Sequence, residues 1–443
     1  MTLETPDRIR ELQRKLYRKA KQESNYRFYL LYDKVYRRDI LSHAYRLVKA
    51  NKGASGVDGL TFEAIEEGEG GAEQYLDQIA EELKGDTYRP MPVRRVYIPK
   101  PDGRQRPLGI PTIKDRVVQM AVKLVIEPIF EADFEDNSYG FRPKRDAHQA
   151  MDDVSLQLRM GKTQVIDADI SKYFDTIPHD KLLALVAKRI VDKHILRLIK
   201  LWLKAPAVEE GKDGKKRTEG NPKGTPQGGV VSPLLANIYL HVLDRIWRVK
   251  KVEERFKARL IRYADDFVVL CHGQTEKVLK GVKTVLRGLE LSLNEDKTRV
   301  IDAKKQRFDF LGFALEVKKN PKTGKMFPLI TPSKEAMAEI KAGIKVLTCR
   351  NNLGLPKEVL IRKLNELVRG WVGYFYYGNC SRDLSKLKDF LDERVRIYLR
   401  RKHAKKSRGY KAYPSRYLYD NLGLFKIPTT APWTHAVKAS GRR

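Results

Sequence analysis

The chain has 443 residues, of which 42% are hydrophobic, so it can bury a sizeable core and is expected to form two or three domains or subdomains. Its 88 lysines and arginines exceed its 56 aspartates and glutamates and leave a formal net charge of +32, which predicts a polyanionic partner and favours nucleic acid over a membrane. The segment from Met1 to Gln22 lacks the apolar core of a signal peptide, and no run of about 18 apolar residues occurs, so we expect a soluble, cytoplasmic protein. The 3 cysteines, Cys271, Cys349 and Cys380, are too widely separated for a zinc finger and are expected to be reduced.

The N-terminal segment, from residue 5 to about residue 40, reads as a basic helix followed by a cluster of aromatic residues. Apolar side chains recur at helical spacing among many arginines and lysines, at Ile9, Leu12 and Leu16. The aromatic residues that follow are Tyr26, Phe28, Tyr29, Tyr32 and Tyr36. The segment has two interpretations: it binds RNA through its cations and rings, or it is a solvated helix whose tyrosines pack on the body of the protein.

A β-hairpin is predicted from Tyr97 to Ile110, with Asp102-Gly103 at its turn. Lys100 and Arg106 then lie close together on paired strands. Two cations in that position could hold the phosphates of a nucleotide, or could simply be solvated.

Apolar periodicity predicts two helices after this hairpin. The first runs from Asp115 to Glu127 and is expected to end near Pro128, because proline breaks a helix interior. The second runs from Lys181 to Leu203 and leads into a polar, hairpin-like excursion at residues 209–221.

A glycine-rich loop, Gly224-Thr225-Pro226-Gln227-Gly228-Gly229, precedes another predicted helix. Ser232 is expected to cap this helix, with Pro233 at its first position. Its apolar stripe comprises Leu235, Ile238, Val242 and Ile246. Packing of the stripe would fix the helix and leave the glycine loop free to approach another chain closely.

Two adjacent carboxylates, Asp265 and Asp266, interrupt a run of apolar residues between Leu260 and Cys271 that is predicted to form paired strands. Ionised carboxylates in an apolar setting need a compensating cation, and a divalent metal would serve. The alternative is an exposed turn between two strands.

A second carboxylate site lies on a short predicted strand that begins at Val165. Asp167 and Asp169 project from the same face of this strand, so acids of two strands can converge. Mg²⁺ prefers oxygen ligands, and paired Mg²⁺ ions clamp an in-line phosphoryl displacement. The chemistry indicated is nucleotidyl transfer, with Asp167 expected to be paired or peripheral.

These motifs, in this order, resemble those of the group II intron-encoded reverse transcriptase and maturase family. Tyr263-Ala264-Asp265-Asp266 is similar to the reverse transcriptase signature, and Asp169 with Phe174 to the first metal-binding motif. The glycine loop followed by Ser232-Pro233-Leu234-Leu235-Ala236-Asn237 resembles the template-contacting loop and helix. The resemblance covers roughly residues 40 to 400 and includes the loop at residues 51–59 and Asn137-Ser138-Tyr139-Gly140-Phe141-Arg142-Pro143.

The resemblance implies an α+β fold, a right-hand polymerase whose fingers and palm combine antiparallel sheet and helices, with an α-helical thumb and a basic C-terminal extension. The expected domains are a basic N-terminal extension and template-capping segment (1–85), fingers and palm (86–318), a helical thumb or maturase domain (319–400) and a short basic nucleic-acid-binding extension (401–443). The tyrosines of the last segment, Tyr410, Tyr413, Tyr417 and Tyr419, suit nucleic-acid binding. No Cys/His cluster follows them, so no endonuclease domain is expected.

The resemblance also implies site residues. Those expected to hold two Mg²⁺ ions, for which Mn²⁺ can substitute, are Asp169, Ile170, Asp265 and Asp266, of which the three aspartates are catalytic. The nucleotide-binding residues expected are Lys100, Arg106, Phe174, Gln227 and Lys297. The template and primer contacts expected are Arg142, Gly228, Gly229, Leu311 and Gly312. Phe174 would reject a ribose 2′-hydroxyl or pack in the core. Lys297 would protonate pyrophosphate or be a surface lysine, and Arg142 would contact nucleic acid or anchor the fingers.

The sequence therefore predicts an RNA-directed DNA polymerase of a group II intron that also assists intron splicing and mobility. Its expected partners are structured intron RNA, an RNA template, a DNA primer or target, and deoxynucleoside triphosphates, in the bacterial cytosol and at the nucleoid, with no membrane partner. Two alternatives remain: an RNA-binding splicing factor with a vestigial polymerase site, and a host-adopted reverse transcriptase in repair or defence.

Overall fold

The structure is a computed structural model that describes residues 3–99, 103, 105–211, 215–407 and 409–432. Helices and mostly antiparallel strands alternate along the chain, which confirms the α+β class. Within the described residues, no helix combines the length and the apolar character needed to cross a membrane.

The helices and strands follow one another along the whole described chain. The helices are α1 (Asp7–Gln22), α2 (Tyr32–Val35), α3 (Arg38–Ala50), α4 (Phe62–Glu67), α5 (Gly71–Lys84), α6 (Ile113–Glu131), α7 (Ala147–Arg159), α8 (Tyr173–Thr176), α9 (His179–Ala187), α10 (Lys193–Lys204), α11 (Ser232–Val249), α12 (Val252–Phe256), α13 (Thr275–Gly288), α14 (Lys334–Leu347), α15 (Lys357–Phe375) and α16 (Ser381–Lys402). The strands are β1 (Val93–Pro99), β2 (Gln105–Ile110), β3 (Gln164–Ala168), β4 (Ala207–Glu210), β5 (Lys216–Glu219), β6 (Ala258–Tyr263), β7 (Asp266–Cys271), β8 (Arg299–Asp302), β9 (Phe308–Phe310), β10 (Phe313–Lys319) and β11 (Met326–Pro332).

The chain divides into two compact units, each built from three stretches. The first comprises Met1–Ala150, Ala168–Val269 and Gln274–Arg299. The second comprises Met151–Asp167, Leu270–Gly273 and Val300–Arg443. The domain boundaries predicted from sequence stay a prediction.

One sheet of the first unit has the strand order β2-β1-β4-β5. β1 and β2 pair antiparallel up to Pro99 and Gln105, as predicted for the first hairpin, although Lys100 and the predicted turn residue Asp102 lie outside the described residues. β4 and β5 form the second hairpin, within the predicted excursion, and β4 joins β1 in parallel through Ala207 and Val93.

A second sheet has the strand order β6-β7-β3-β8. β6 and β7 form the predicted hairpin around the adjacent aspartates, and the side chains of Phe267 through Cys271 are all buried. Burial on both faces explains why β7 is a continuous apolar run rather than an alternating one.

Helix α6 extends past Pro128, where the sequence predicted its end, and continues to Glu131. Proline has no N–H, so the carbonyl of Leu124, one turn earlier, loses its helical hydrogen bond. The side chain of Gln13 in α1 donates to that carbonyl at 3.0 Å. The expected end at Pro128 was therefore wrong because a distant residue satisfies the freed acceptor.

The helix predicted from Lys181 to Leu203 is broken into α9 and α10. Asp192 lies in the break and accepts hydrogen bonds from the first amides of α10. The same carboxylate also accepts from the amides of Leu31 and Tyr32, at 2.8 and 2.9 Å. The break thus depends on contact with the N-terminal segment, which local periodicity does not reveal.

The N-terminal aromatic residues pack largely on the body of the first unit. Phe28 is 5% exposed and Tyr32 is 9% exposed, whereas Tyr29 is 67% exposed. The hydroxyl of Tyr32 donates to the carbonyl of Leu83 at 2.8 Å. Phe28 and Tyr32 thus fit the interpretation that the aromatic residues pack on the body of the protein, whereas the side chain of Tyr29 is exposed and accessible to other partners.

The second unit contains the sheet β11-β10-β9 and a helical core. Helices α14, α15 and α16 bury leucine, isoleucine and valine side chains against one another. The tyrosines of the predicted C-terminal extension contact protein groups here: Tyr410 donates to Glu393 at 2.5 Å and Tyr419 to Asp392 at 2.7 Å, while Tyr413 is 7% exposed.

Candidate active site

The turn between β6 and β7 presents two adjacent carboxylates. Apolar strands on both sides are buried, so the chain turns sharply, with Ala264 at φ 59° in the left-handed region. Asp265 is partly buried in the turn, and Asp266 is exposed at the start of β7. The turn is therefore anchored by its strands and directs its polar end away from the core.

Asp169 directly follows β3 and is fixed by its own backbone. Its carbonyl accepts a hydrogen bond from the amide of Asn294 at 2.8 Å, and the next residue, Ile170, bridges to Leu293. The Nζ of Lys297 lies 3.2 Å from Oδ2 of Asp169. Two of the predicted site residues, Asp169 and Lys297, are thus in direct contact.

The charges around Asp265 are mixed. Burial raises the pKa of the Asp265 carboxyl, and the negative charge of Asp169 raises it further, while Arg106 and Arg262 oppose the shift. A negative charge raises the pKa of a neighbouring carboxyl only when the two are close, so Asp169 and Asp265 belong to one site. Arg106, exposed on β2, belongs to the same electrostatic neighbourhood.

The residues of this site fit a magnesium ion. In the part of the chain that the structure describes, no group of three or more His, Cys, Asp or Glu side chains is arranged to hold a metal. Mg²⁺, however, usually takes only one or two carboxylates and completes its shell with water and substrate phosphates. Asp169 and Asp265 supply oxygen donors whose repulsion a cation would relieve, and Ile170, with its side chain 3% exposed, can contribute only a backbone carbonyl.

The glycine loop at residues 224–229 is pinned between β2 and α8. The amide of Thr225 donates to the carbonyl of Phe174 at 2.7 Å, and the amide of Gly109 donates to the carbonyl of Gln227 at 2.7 Å. Gly228 has φ 115°, and a Cβ there would lie 2.6 Å from the carbonyl oxygen of Gly109. Only glycine allows this approach of the loop to β2.

Side chains around the loop have defined partners. The Nε2 of Gln227 donates to Asp175 at 3.4 Å, and Phe174 is half-buried with its ring 5.5 Å from that of Tyr173. A Cβ on Gly229 would lie 2.6 Å from the Oγ of Ser232, so this glycine lets the loop close on the start of α11.

Arg142 is 8% exposed and its guanidinium is used within the protein. It donates to Glu131 at 3.0 Å and to the carbonyls of Glu135 and Ser138 at 2.6 and 2.7 Å. Of the two sequence interpretations, these contacts favour an anchor for the surrounding segment over a contact with nucleic acid.

Leu311 and Gly312 form the turn between β9 and β10 in the second unit, with φ 52° and 76°. The hydroxyl of Tyr374 donates to the carbonyl of Leu311 at 3.0 Å, and a Cβ on Gly312 would meet the ring of Phe375 at 3.2 Å. Both residues are held by α15, whose aromatic residues pack beneath the turn.

The sequence reasoning missed Arg262, which precedes the signature and is 0% exposed. It pairs with Asp244 at 2.6 Å and donates to Asn237 at 2.9 Å, both on α11. A signal was present: Asn237 and Asp244 are polar residues two helical turns apart on an apolar helix, and Arg262 is a cation inside an apolar strand.

Comparisons with known proteins give matches to two family models and to individual proteins. The family model described as reverse transcriptase (RNA-dependent DNA polymerase) matches residues 98–315, and the model described as group II intron, maturase-specific domain matches residues 337–417. Protein YkfC of Escherichia coli (strain K12) is 35% identical over 376 residues, covering 76% of this chain and 96% of that protein.

Group II intron-encoded protein LtrA of Lactococcus lactis subsp. cremoris is 33% identical over 355 residues, covering 66% of this chain and 57% of LtrA. The chain thus spans little more than half of LtrA. Among solved structures, telomerase from Candida albicans in complex with a fragment of telomeric RNA aligns with a TM-score of 0.42 at 13% identity, over 80% of this chain and 71% of that one. A likeness at that score carries no weight.

Proposed function

The chain belongs to the family of group II intron-encoded reverse transcriptases, RNA-directed DNA polymerases with a maturase domain, and we propose that Asp169, Asp265 and Asp266 carry its polymerase activity. The observation that supports these residues most is the sheet order β6-β7-β3: Asp265 and Asp266 stand at the turn into β7, and Asp169 directly follows the neighbouring strand β3. The charge of Asp169 also raises the pKa of the Asp265 carboxyl. Carboxylates that repel each other in a partly buried site are suited to sharing a divalent cation.

The metal chemistry follows from the donor set. Enzymes of this family use divalent metal ions, and Asp169, Asp265, Asp266 and the carbonyl of Ile170 would hold two Mg²⁺ ions here. When bound, Mg²⁺ would activate the primer 3′-hydroxyl and neutralise charge on the departing pyrophosphate.

The cations of the site have complementary roles. Arg106, exposed beside the carboxylates, binds phosphate oxygens of the incoming deoxynucleoside triphosphate, together with Lys100 of the same hairpin. The ammonium group of Lys297 lies beside the Asp169 carboxylate and donates a proton to the pyrophosphate oxygen as a general acid. Much of the catalysis is thus positioning and charge neutralisation.

The neighbouring groups select and align the substrates. The ring of Phe174 occupies the space that a ribose 2′-hydroxyl needs, so deoxynucleotides are preferred. Gln227, Gly228 and Gly229 line the nascent base pair and template, and Leu311 and Gly312 hold the primer end. The pinned glycine loop supports this arrangement, because its backbone is fixed before substrate arrives.

We also propose that the maturase region binds structured intron RNA and assists splicing and mobility. The match of residues 337–417 to the maturase-specific model supports this. So does the basic C-terminal end of α16, Arg400-Arg401-Lys402, which suits a phosphate backbone.

Primer extension on an RNA template with deoxynucleotides and Mg²⁺ tests the proposal. Asp265→Ala should reduce extension by roughly 100-fold or more, because it removes a proposed ligand of the metal ions that would neutralise the transition-state charge. Asp389→Ala, at a carboxylate whose side chain is 81% exposed in the second unit, is the matched control and should extend normally.

Retained extension by Asp265→Ala would refute the assignment of the carboxylates. If wild type and variant both fail to extend a primer yet bind structured RNA tightly, the splicing-factor alternative becomes the better one. A wild type that extends primers but shows no preference for intron RNA would favour the host-adopted enzyme.

A further inference from the structure

Arg262 and Asp244 form an ion pair whose two side chains are both 0% exposed. The guanidinium contacts the carboxylate in a fork, with Nη2 at 2.6 Å from Oδ2 and Nε at 3.1 Å from the same oxygen. Buried ion pairs add little net stability over packed apolar residues, since both charges must leave water. Geometric specificity is the better explanation for retaining one here.

The remaining donor of Arg262 reaches the catalytic turn. Its Nη1 donates to the carbonyl of Ala264 at 2.8 Å and to Oδ1 of Asn237 at 2.9 Å. The Ala264 carbonyl belongs to the peptide that leads into Asp265. Arg262 therefore fixes the orientation of the peptide plane from which the Asp265 side chain departs.

The backbone of Arg262 is itself held by the segment at residues 137–140. Its amide donates to the carbonyl of Asn137 at 2.8 Å, and the amide of Tyr139 donates to its carbonyl at 2.8 Å. The side chain of Asn137 also donates to Asp244 at 3.0 Å. The motif that contains Gly140 thus holds both the backbone amide and the backbone carbonyl of Arg262. The sequence alone assigns no definite role to this motif.

Helix α11 carries both side chains that hold the guanidinium. Asn237 and Asp244 lie two turns apart on one face, and Nδ2 of Asn237 also donates to the carbonyl of Gly140 at 2.8 Å. The same helix begins at Ser232, whose Oγ accepts from Thr225 of the glycine loop at 2.8 Å. One rigid helix therefore joins the glycine loop to the catalytic turn.

We infer that Arg262, held by Asp244 and Asn237, is a positioning residue that sets the geometry of Asp265 and Asp266, and that through it α11 couples the glycine loop to the carboxylates. Arg262 touches neither substrate nor metal in this role. The inference rests on the proposed function of the carboxylates and goes beyond it by naming what holds them.

Arg262→Lys tests the inference, because lysine keeps the charge but cannot reach Asp244, Asn237 and the Ala264 carbonyl together. Asp244→Asn is the second variant and keeps the shape while removing the paired charge. Arg189→Lys is the matched control: Arg189 is also buried in the first unit, at 5% exposure, and donates to carbonyls of the N-terminal segment rather than to the turn.

The measurements are kcat and KM for deoxynucleotide in primer extension, the Mg²⁺ concentration at half-maximal rate, the thermal midpoint, and Mn²⁺ binding to the free protein by calorimetry. For both test variants we expect kcat to fall roughly 10- to 100-fold, as for a displacement of about 1 Å at a reacting centre. Mn²⁺ affinity should fall in parallel and KM should change little. The thermal midpoint should fall furthest in Asp244→Asn, which leaves a buried guanidinium without its paired charge, so all rates are compared at a temperature where every variant is folded.

The inference is overturned if Arg262→Lys and Asp244→Asn match Arg189→Lys in kcat and in Mn²⁺ affinity. It is also overturned if their losses follow the thermal midpoint alone and vanish at a temperature where all variants are folded. Failure of the inference can be told from failure of the proposed function. If Arg262→Lys and Asp244→Asn stay active while Asp265→Ala is inactive, only the inference is refuted. If Asp265→Ala is active, the assignment of the carboxylates is refuted first.

Discussion

Replacing Gly140 with alanine tests whether the backbone of the catalytic turn must keep its position for polymerisation. A Cβ on Gly140 would lie 2.3 Å from the amide nitrogen of Ala264 and 2.8 Å from the carbonyl carbon of Tyr263. Both atoms are backbone, so no flexible side chain can move aside. Gly140 does not have the positive φ that disfavours alanine, and any effect must come from this contact.

The size of the effect follows from the overlap. The Ala264 nitrogen falls about 1 Å short of the 3.4 Å at which ordinary contact begins, so the turn or the Gly140 segment must shift by about that distance. Overpacking of this kind costs about 1–3 kcal/mol in unfolding free energy. A misplacement of about 1 Å at the reacting carboxylates costs roughly 100-fold in rate.

The assay is primer extension on an RNA template, with thermal unfolding measured on the same samples. Gly281→Ala is the matched control, because Gly281 lies inside α13 with nothing within 4 Å of an added Cβ. Alanine there should raise stability by about 0.5–1 kcal/mol and leave the rate unchanged. A Gly140→Ala enzyme with wild-type kcat would refute the view that the turn is held rigidly.

Three further predictions concern single side chains. Phe174→Ala should raise incorporation of ribonucleotides relative to deoxynucleotides in paired extension assays, and an unchanged preference would return the half-buried ring to a packing role. Lys297→Ala should slow extension by roughly 100-fold or more as a lost general acid, with binding of template and primer unaffected, and a normal rate would make Lys297 a surface cation. Burial, reinforced by nearby arginines, lowers the pKa of His241 from 6.5 to about 4, so the folded protein binds fewer protons than the unfolded chain between these values and loses stability as pH falls through them. The unfolding free energy should be about 2 kcal/mol lower at pH 5 than at pH 7 from this group, and His241→Gln should remove that part of the slope in denaturant titrations.

The sequence alone predicts those features whose determining residues lie close together in the chain. The α+β class, the reverse transcriptase family and the polymerase activity are confirmed. The strands of the first hairpin pair as predicted over their described residues, and the hairpin around Asp265 forms as predicted. Turn residues and the apolar runs beside them are close in the chain, so a window of ten residues contains the information.

Features that depend on distant partners were not predictable in this way. Pro128 stays inside α6 because Gln13, which lies 111 residues before Leu124, satisfies the freed carbonyl of Leu124. The apolar stripe of α11 was predicted, but the contacts of Asp244 and Asn237 were not, because their partner Arg262 lies 18 and 25 residues further along the chain. The metal ligands, nucleotide contacts and domain boundaries stay predictions until the variants above are measured.

The docking of the N-terminal segment has a consequence for synthesis of the chain on the ribosome. The contacts of residues 20–32 are complete only when Arg189 and Asp192 have been made, which lie 169 residues beyond Ala20 and 161 beyond Leu31 respectively. At bacterial and eukaryotic elongation rates that distance takes roughly ten to thirty seconds to translate. During that interval residues 20–32 lack these partners, and the many arginines and lysines of α1 keep the nascent segment hydrated until residues 189–192 arrive.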